Sequence, residues 1–139
     1  MNKANESLRY TLNPDSESYS VSGMGTCTDK DVVIPSTYLG KPVTGIGSWA
    51  FNNRMSMTSV KIPDSVTSIG YGAFKGCFGL TSITISNSVT YIGEDAFSWC
   101  TGLASIKFQG TMAQWYAIEG INGIGVRCTV YCTDGNITI

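Results

Sequence analysis

The sequence contains few of the side chains that catalyse reactions or bind metal ions. It has 139 residues and no histidine, so the commonest general base and metal ligand is missing. Glu94 and Asp95 are adjacent acidic residues, but sequence neighbours on a helix point apart. There is no serine in a G-x-S-x-G motif and no C-x-x-C pair. We therefore expect a protein that is not an enzyme and has no catalytic residues, no metal site and no cofactor.

Polar side chains that could bind another molecule recur on three similar segments. Each segment alternates polar and apolar residues, the pattern of a half-buried strand. The polar members should face outward: Ser59, Lys61, Ser82, Thr84, Ser105 and Lys107. If the strands stack in parallel, the two lysines start about 9–10 Å apart. This face is either a concave recognition surface or a solvated surface whose small side chains bind nothing.

Three aromatic residues are further candidates for ligand contacts. Tyr38 lies in a loop at 36–42 that is longer than its equivalents, so it either contacts a partner or packs over the end of the domain. Trp49 and Trp99 stand where the neighbouring repeats have other residue types. They either form an exposed apolar patch or are partly buried against a neighbouring turn.

These candidates lie in or beside a repeated sequence. Residues 43–65, 66–88 and 89–111 are three copies of a 23-residue unit that align without a gap. They read VTGIGSWAFNNRMSMTSVKIPDS, VTSIGYGAFKGCFGLTSITISNS and VTYIGEDAFSWCTGLASIKFQGT. Self-similarity with a period of about 20–30 residues is typical of a leucine-rich-repeat solenoid.

Each unit should contain one strand and one short helical segment. In the second unit the strand is the alternating stretch that ends at Ile85. The spacing of Ile69, Ala73 and Phe74 places these residues on one face of a helical turn. Gly70, which follows Ile69, would allow a tight bend with a positive φ at the start of that turn.

We therefore predict an α/β repeat solenoid, a leucine-rich-repeat right-handed superhelix. A parallel sheet forms one face, short helical turns form the other, and β-hairpins cap the ends. Residues 1–7 are expected to be disordered or introduced by cloning. Residues 8–30 form an N-terminal capping hairpin, 31–111 contain the repeats and 112–139 form a C-terminal cap. Thr111 should be the N-cap of a short helix, and Trp115 should cover the last repeat.

The cysteines are odd in number, five in all, so at least one is free or pairs between chains. Cys77 and Cys100 occupy equivalent positions of two repeats and should be buried thiols that pack as small apolar residues. If Cys128 and Cys132 share a strand, they are about 13 Å apart and too distant for a disulfide. The sequence alone does not determine which of the five cysteines are oxidised.

The unit resembles the BspA-type leucine-rich repeat of anaerobic bacteria and some parasitic protists. The motif that carries the resemblance is I-G-x-x-A-F-x-x-C-x-x-L-x-x-I-x-I, present from Ile69 to Ile85. The first copy departs from it at Arg54, which replaces the cysteine, and at Met57, which replaces the leucine. The resemblance implies a surface-exposed or secreted binding module, often assigned to adhesion, and it transfers no catalytic residue.

Composition excludes some partners. Charged residues make up 14% of the chain and the net charge is −1, so we expect no binding to nucleic acid. The sequence has no apolar run long enough for a membrane span. Residues 1–10 contain no signal-peptide core, and the cell-surface or secreted location therefore rests on the family resemblance.

The leading functional hypothesis is a non-enzymatic protein-interaction or adhesion module of a bacterial surface or secreted protein. A host or bacterial surface protein would bind the strand face and loops. The first alternative is a carbohydrate-binding module that uses exposed aromatic rings to bind a glycan. The second is a structural spacer that only positions other domains.

Overall fold

The computed structural model describes residues 7–139, and the chain winds into about five turns of a solenoid. The predicted leucine-rich-repeat fold is confirmed. In chain order the strands are β1 (Arg9–Leu12), β2 (Tyr19–Gly23), β3 (Asp31–Val33), β4 (Thr37–Tyr38), β5 (Lys41–Ile46), β6 (Ser59–Lys61), β7 (Ser68–Ile69), β8 (Ser82–Ile85), β9 (Tyr91–Ile92), β10 (Ser105–Phe108), β11 (Thr129–Cys132) and β12 (Gly135–Thr138). An α-helix, α1, spans Met112–Tyr116, and a 3₁₀-helix spans Ile121–Gly123.

Two sheets run along the solenoid. The front sheet has the order β12-β11-β10-β8-β6-β3, and all its pairs are parallel except β11 with β12. The back sheet has the order β1-β2-β5-β7-β9, in which only the β1–β2 pair is antiparallel, and β4 pairs antiparallel with β5 beside it. Each turn therefore passes through both sheets.

Equivalent residues of successive turns stack in register. Val60 pairs with Ile83, and Ile83 with Ile106. The amide of Thr81 donates to the carbonyl of Thr58, 23 residues earlier, at 2.9 Å. The period of the sequence is thus the period of the backbone hydrogen bonds.

The segments that the sequence predicted as helical are hydrogen-bonded turns. Between residues 43 and 111 the structure contains strands and turns but no helix. The amide of Ala73 donates to the carbonyl of Gly70 in its own turn. The next amide, that of Phe74, donates instead to the carbonyl of Ala96 in the following turn. A left-handed residue, Gly72, interrupts the helical backbone. Bonds between turns therefore replace the bonds of a helix.

Gly70 has a different role from the one predicted. It is not among the residues with a positive φ. A Cβ atom at this position would lie 2.5 Å from the backbone nitrogen of Ser48 in the preceding turn. The glycine is needed because successive turns approach each other closely here.

The core lies between the two sheets and consists of columns of identical or similar side chains. The rings of Phe51, Phe74 and Phe97 are fully buried and stack with centroid separations of 5.2 and 5.4 Å. The apolar strand residues form parallel columns beside them, since Ile83 and Ile106 are also buried. No turn could bury these residues alone, because each column is covered by the turns on either side.

The N-terminal end is covered by the hairpin of β1 and β2. Val21 is fully buried and lies in register with Ile46 of the first repeat. The expectation for residues 1–7 falls, apart from Ser7, outside the described residues. Within residues 7–139, every helix is too short or too polar to cross a lipid bilayer.

The C-terminal end begins with α1. Thr111 and Gln114 form a capping box at its start, which confirms the predicted N-cap. Trp115 is buried with its ring 5.4 Å from that of Phe108, so it covers the last repeat as predicted. The β11–β12 hairpin turns at residues 133–134. Asp134 in this turn accepts a hydrogen bond from the amide of Met112 and ties the hairpin to the helix.

Residues 118–132 also extend the solenoid by a further turn. The amide of Ile92 donates to the carbonyl of Glu119 at 3.0 Å, and that of Phe97 to the carbonyl of Ile124 at 2.9 Å. Strand β11 then pairs in parallel with β10. The surfaces of the repeats therefore continue onto this segment.

Candidate functional site

The predicted binding residues form two parallel rows on the outer face of the front sheet. In-register pairing joins Ser59 to Ser82 and Ser82 to Ser105, which we call the serine row. The same pairing joins Lys61 to Thr84 and Thr84 to Lys107, which we call the lysine row. The structure thus brings all six predicted residues onto one surface, with the lysines exposed and the other four partly exposed.

The extra turn lengthens both rows. Thr129 pairs with Ser105, and Tyr131 pairs with Lys107. The side chain of Tyr131 is 47% exposed, which makes it the large aromatic member of the lysine row. Sequence reasoning missed Tyr131 because it treated residues 112–139 only as a cap.

A groove of about 540 Å³ lies over the C-terminal half of these rows. Its lining includes Ser82 and Ser105 from the serine row, and Thr84, Lys107 and Tyr131 from the lysine row. Ser59 and Lys61 lie on the adjacent strand and are not part of the lining. The lining also includes Gln109 and Thr133, so the groove extends past the lysine row at the ends of β10 and β11.

The charges on this face are separated along the stack. At its N-terminal end the carboxylate of Asp31 accepts hydrogen bonds from the hydroxyls of Ser59 at 2.6 Å and Thr58 at 3.2 Å. Lys61 lies on the strand next to that of Asp31, and Lys107 lies two strands further towards the C-terminal end. The groove itself is therefore lined by an ammonium group and neutral polar groups, and it suits an anionic ligand better than a cationic one.

Tyr38 lies at the N-terminal hairpin. Its ring stacks on that of Tyr10 with a centroid separation of 3.7 Å and meets the ring of Tyr19 edge-on at 5.0 Å. The ring of Tyr38 thus packs against the N-terminal hairpin and stays partly exposed. Burial and the neighbouring Tyr38 raise the pKa of Tyr10 to about 12.

Trp49 and Trp99 have different surroundings and do not form one patch with Tyr38. The ring of Trp49 is 45% exposed, meets Tyr71 edge-on at 5.1 Å and has the ammonium of Lys75 at 5.6 Å from its centroid. Trp99 is 65% exposed and, together with Arg127, lines a separate cavity of about 230 Å³.

Both tryptophans have a left-handed backbone, with φ of 62° at Trp49 and 63° at Trp99. The residues equivalent to Trp99 in the other repeats are Asn53 and Gly76, which adopt this conformation at lower energy. A bulky residue with a positive φ stores strain of about 1–3 kcal/mol. The sequence did indicate that these tryptophans are unusual, because the other repeats have different residue types at the same positions. It did not predict the left-handed backbone.

The cysteines confirm the predicted structural role at two positions. Cys77 and Cys100 are buried, and each thiol donates to the carbonyl of a phenylalanine in the preceding turn, Phe51 or Phe74, at 3.0 Å. The contact with Cys77 and burial raise the pKa of the Cys100 thiol. All five cysteines are free, so Cys128 and Cys132 are not bridged. Residues 7–139 contain no cluster of three cysteine or acidic side chains that could hold a metal ion.

A family profile described as BspA type Leucine rich repeat region matches residues 26–124 with six copies. None of the curated proteins matches the chain. The matched segment includes the six predicted residues of the serine row and the lysine row, and it ends before Tyr131.

Solved structures of bacterial leucine-rich repeat proteins are similar to this chain. The T. pallidum leucine-rich repeat protein TpLRR is 28% identical with a TM-score of 0.72, over 81% of this chain and 56% of that protein. A leucine-rich repeat protein from Bacteroides capillosus is 26% identical with a TM-score of 0.65, over 88% of this chain and 91% of that protein. A leucine-rich repeat protein from Bacteroides ovatus is 28% identical with a TM-score of 0.66, over 91% of this chain and 36% of that protein. The chain thus spans little more than half the length of TpLRR.

Proposed function

Because the chain belongs to the BspA-type leucine-rich repeat family, we propose that it is a non-enzymatic adhesion module that binds a protein partner through its front sheet. The partner would be a host or bacterial surface protein, and the module would belong to a bacterial surface or secreted protein. Leucine-rich repeats suggest a protein-interaction module, and the family is generally non-enzymatic. The adhesive role and the location are the further steps of this proposal.

The observation that carries the proposal is the groove beside the lysine row. Its side chains project from strands that are fixed by in-register hydrogen bonds to both neighbours. A rigid backbone reduces the ordering cost of binding. The lysines and Tyr131 are also the long side chains on this face, so they can reach a partner that cannot contact the serines directly.

A binding screen tests the proposal. The purified domain is applied to immobilised extracellular-matrix proteins and host glycoproteins, alongside the Lys61→Ser/Lys107→Ser double variant. Lys75→Ser serves as the matched control, because Lys75 lies on a turn outside the front sheet. We expect a protein ligand whose binding falls in the double variant and is unchanged in the control. Equal binding by the wild-type protein and both variants would refute the front sheet as the binding surface. If the wild-type protein binds none of the immobilised proteins, the spacer hypothesis is favoured.

Carbohydrate binding is supported by a separate observation, the exposed tryptophans. Trp49 and Trp99 keep large aromatic surfaces in solvent on a strained backbone, a combination that suggests selection for function over stability. A glycan array with wild-type protein and Trp99→Asn separates this function from the first. A glycan signal that is lost in Trp99→Asn but retained in the double lysine variant would support it. A signal that both variants retain would refute a role for Trp99.

A further inference from the structure

The spacing of the lysine row specifies a class of partner, on the premise that the front sheet is the binding surface. Lys61 and Lys107 are separated by one strand, that of Thr84. Two strand spacings place their backbones about 9.6 Å apart. Tyr131 follows one strand beyond Lys107. A ligand that lies along the row therefore meets two ammonium groups and then an aromatic ring.

An extended peptide in the polyproline II conformation matches this spacing. That conformation has three residues per turn and a rise of about 3.1 Å per residue. Side chains three residues apart therefore lie on the same side of the peptide, about 9.3 Å from each other. Two glutamates at positions i and i+3 would reach Lys61 and Lys107 together.

A helical ligand would use the two rows less well. The serine row and the lysine row are two residues apart on each strand, which is about 6.6 Å. An α-helix with its side chains is about 10–12 Å across and bonds its own carbonyls internally, so it would leave the serine hydroxyls without backbone acceptors. A polyproline II segment is narrower and exposes its backbone carbonyls, which the serine hydroxyls could bind.

Tyr131 adds a preference for proline. Proline-rich segments bind aromatic-lined grooves because their conformation is already ordered before binding. The ring of Tyr131 is 47% exposed and lines the groove beside Lys107. We propose that the front-sheet groove, together with Lys61 on the adjacent strand, binds an acidic, proline-rich extended segment of a partner protein. Carboxylates three residues apart would face Lys61 and Lys107, and a proline would pack on Tyr131.

Three labelled synthetic peptides test the proposal by fluorescence anisotropy. The first is proline-rich with glutamates at i and i+3. The second has the same composition with the glutamates adjacent, and the third has lysines in place of both glutamates. We expect the first to bind most tightly and the third not to bind. Binding of the first should weaken as salt rises from about 0.05 to about 0.3 M, because the charge pairs are exposed and screened.

Variants of the protein locate the site. Lys61→Ser/Lys107→Ser should weaken binding of the first peptide by about 3–20-fold, since each exposed charge pair contributes only modestly. Tyr131→Ser should weaken it by a similar factor. Lys75→Ser and Tyr116→Ser are the matched controls, because both residues lie off the front sheet and Tyr116 is 62% exposed. Circular dichroism melting curves check that every variant is folded.

The outcomes separate this inference from the broader function. Equal binding of the first two peptides, or binding that both groove variants retain, would overturn the proposed ligand geometry. If no peptide binds while a whole protein partner still binds in a lysine-dependent way, the peptide class is wrong and the front sheet remains the binding surface. If a helical peptide with glutamates at i and i+7 competes better than the first peptide, the polyproline conformation is wrong.

Discussion

Replacing Phe74 with alanine should remove the centre of the buried aromatic column. The ring is fully buried between those of Phe51 and Phe97, at centroid separations of 5.2 and 5.4 Å. A buried phenylalanine-to-alanine change costs about 3–5 kcal/mol, through lost transfer energy and the cavity left behind. Because two stacking contacts are lost together, we expect a cost of about 4–5 kcal/mol. In a domain of this size the melting temperature should fall by about 12–20 °C.

Urea denaturation followed by circular dichroism measures this loss of unfolding free energy. Phe78→Ala is the matched control, because Phe78 lies in the same repeat but is 43% exposed. Its loss should stay below about 1.5 kcal/mol. Equal losses in the two variants, or a loss below about 2 kcal/mol for Phe74→Ala, would refute the view that the stacked column carries the stability of the repeats.

Two further perturbations test local features. Trp99→Asn should stabilise the domain by about 0.5–1.5 kcal/mol in the same denaturation experiment, because asparagine adopts the left-handed conformation more easily than tryptophan; an unchanged or lower stability would show that no strain is stored at this position. Tyr10 has a pKa raised from 10.0 to about 12, so its contribution to stability is fully present below pH 10 and is lost as the pH rises to about 12. An absorbance titration of tyrosinate should show one tyrosine ionising late, and this late step should be missing in Tyr10→Phe.

The repeat period allowed much of the fold to be predicted. Apolar residues that recur every 23 positions must stack, so the buried columns and the outward rows follow directly from the alignment. The prediction of helical segments was wrong because a single repeat, considered alone, does not show which carbonyls of the neighbouring turns can accept its hydrogen bonds. The amide of Phe74 bonds to Ala96 in the next turn, and this competing acceptor appears only once the turns are stacked.

The missed part of the candidate site follows from a shortened repeat. Val130 pairs with Ile106, and the carbonyl of Ile124 accepts from Phe97 as that of Ala96 accepts from Phe74. Val130 nevertheless comes six residues after Ile124, whereas Ile106 comes ten after Ala96. A gapless alignment cannot find this turn. Allowing a four-residue deletion would have placed Tyr131 beside Lys107.

The stacked hydrogen bonds have a mechanical consequence. The hairpin of β1 and β2 lies at one end of the solenoid, whereas β12 lies at the end of the front sheet furthest from β3. Tension applied between the two ends of the chain would load the terminal turn first, since each turn bonds only to its neighbours. Turns would detach in sequence, and each would release about 80 Å of extended chain. Under a pulling load the domain would lengthen in steps of one repeat, as an extensible tether.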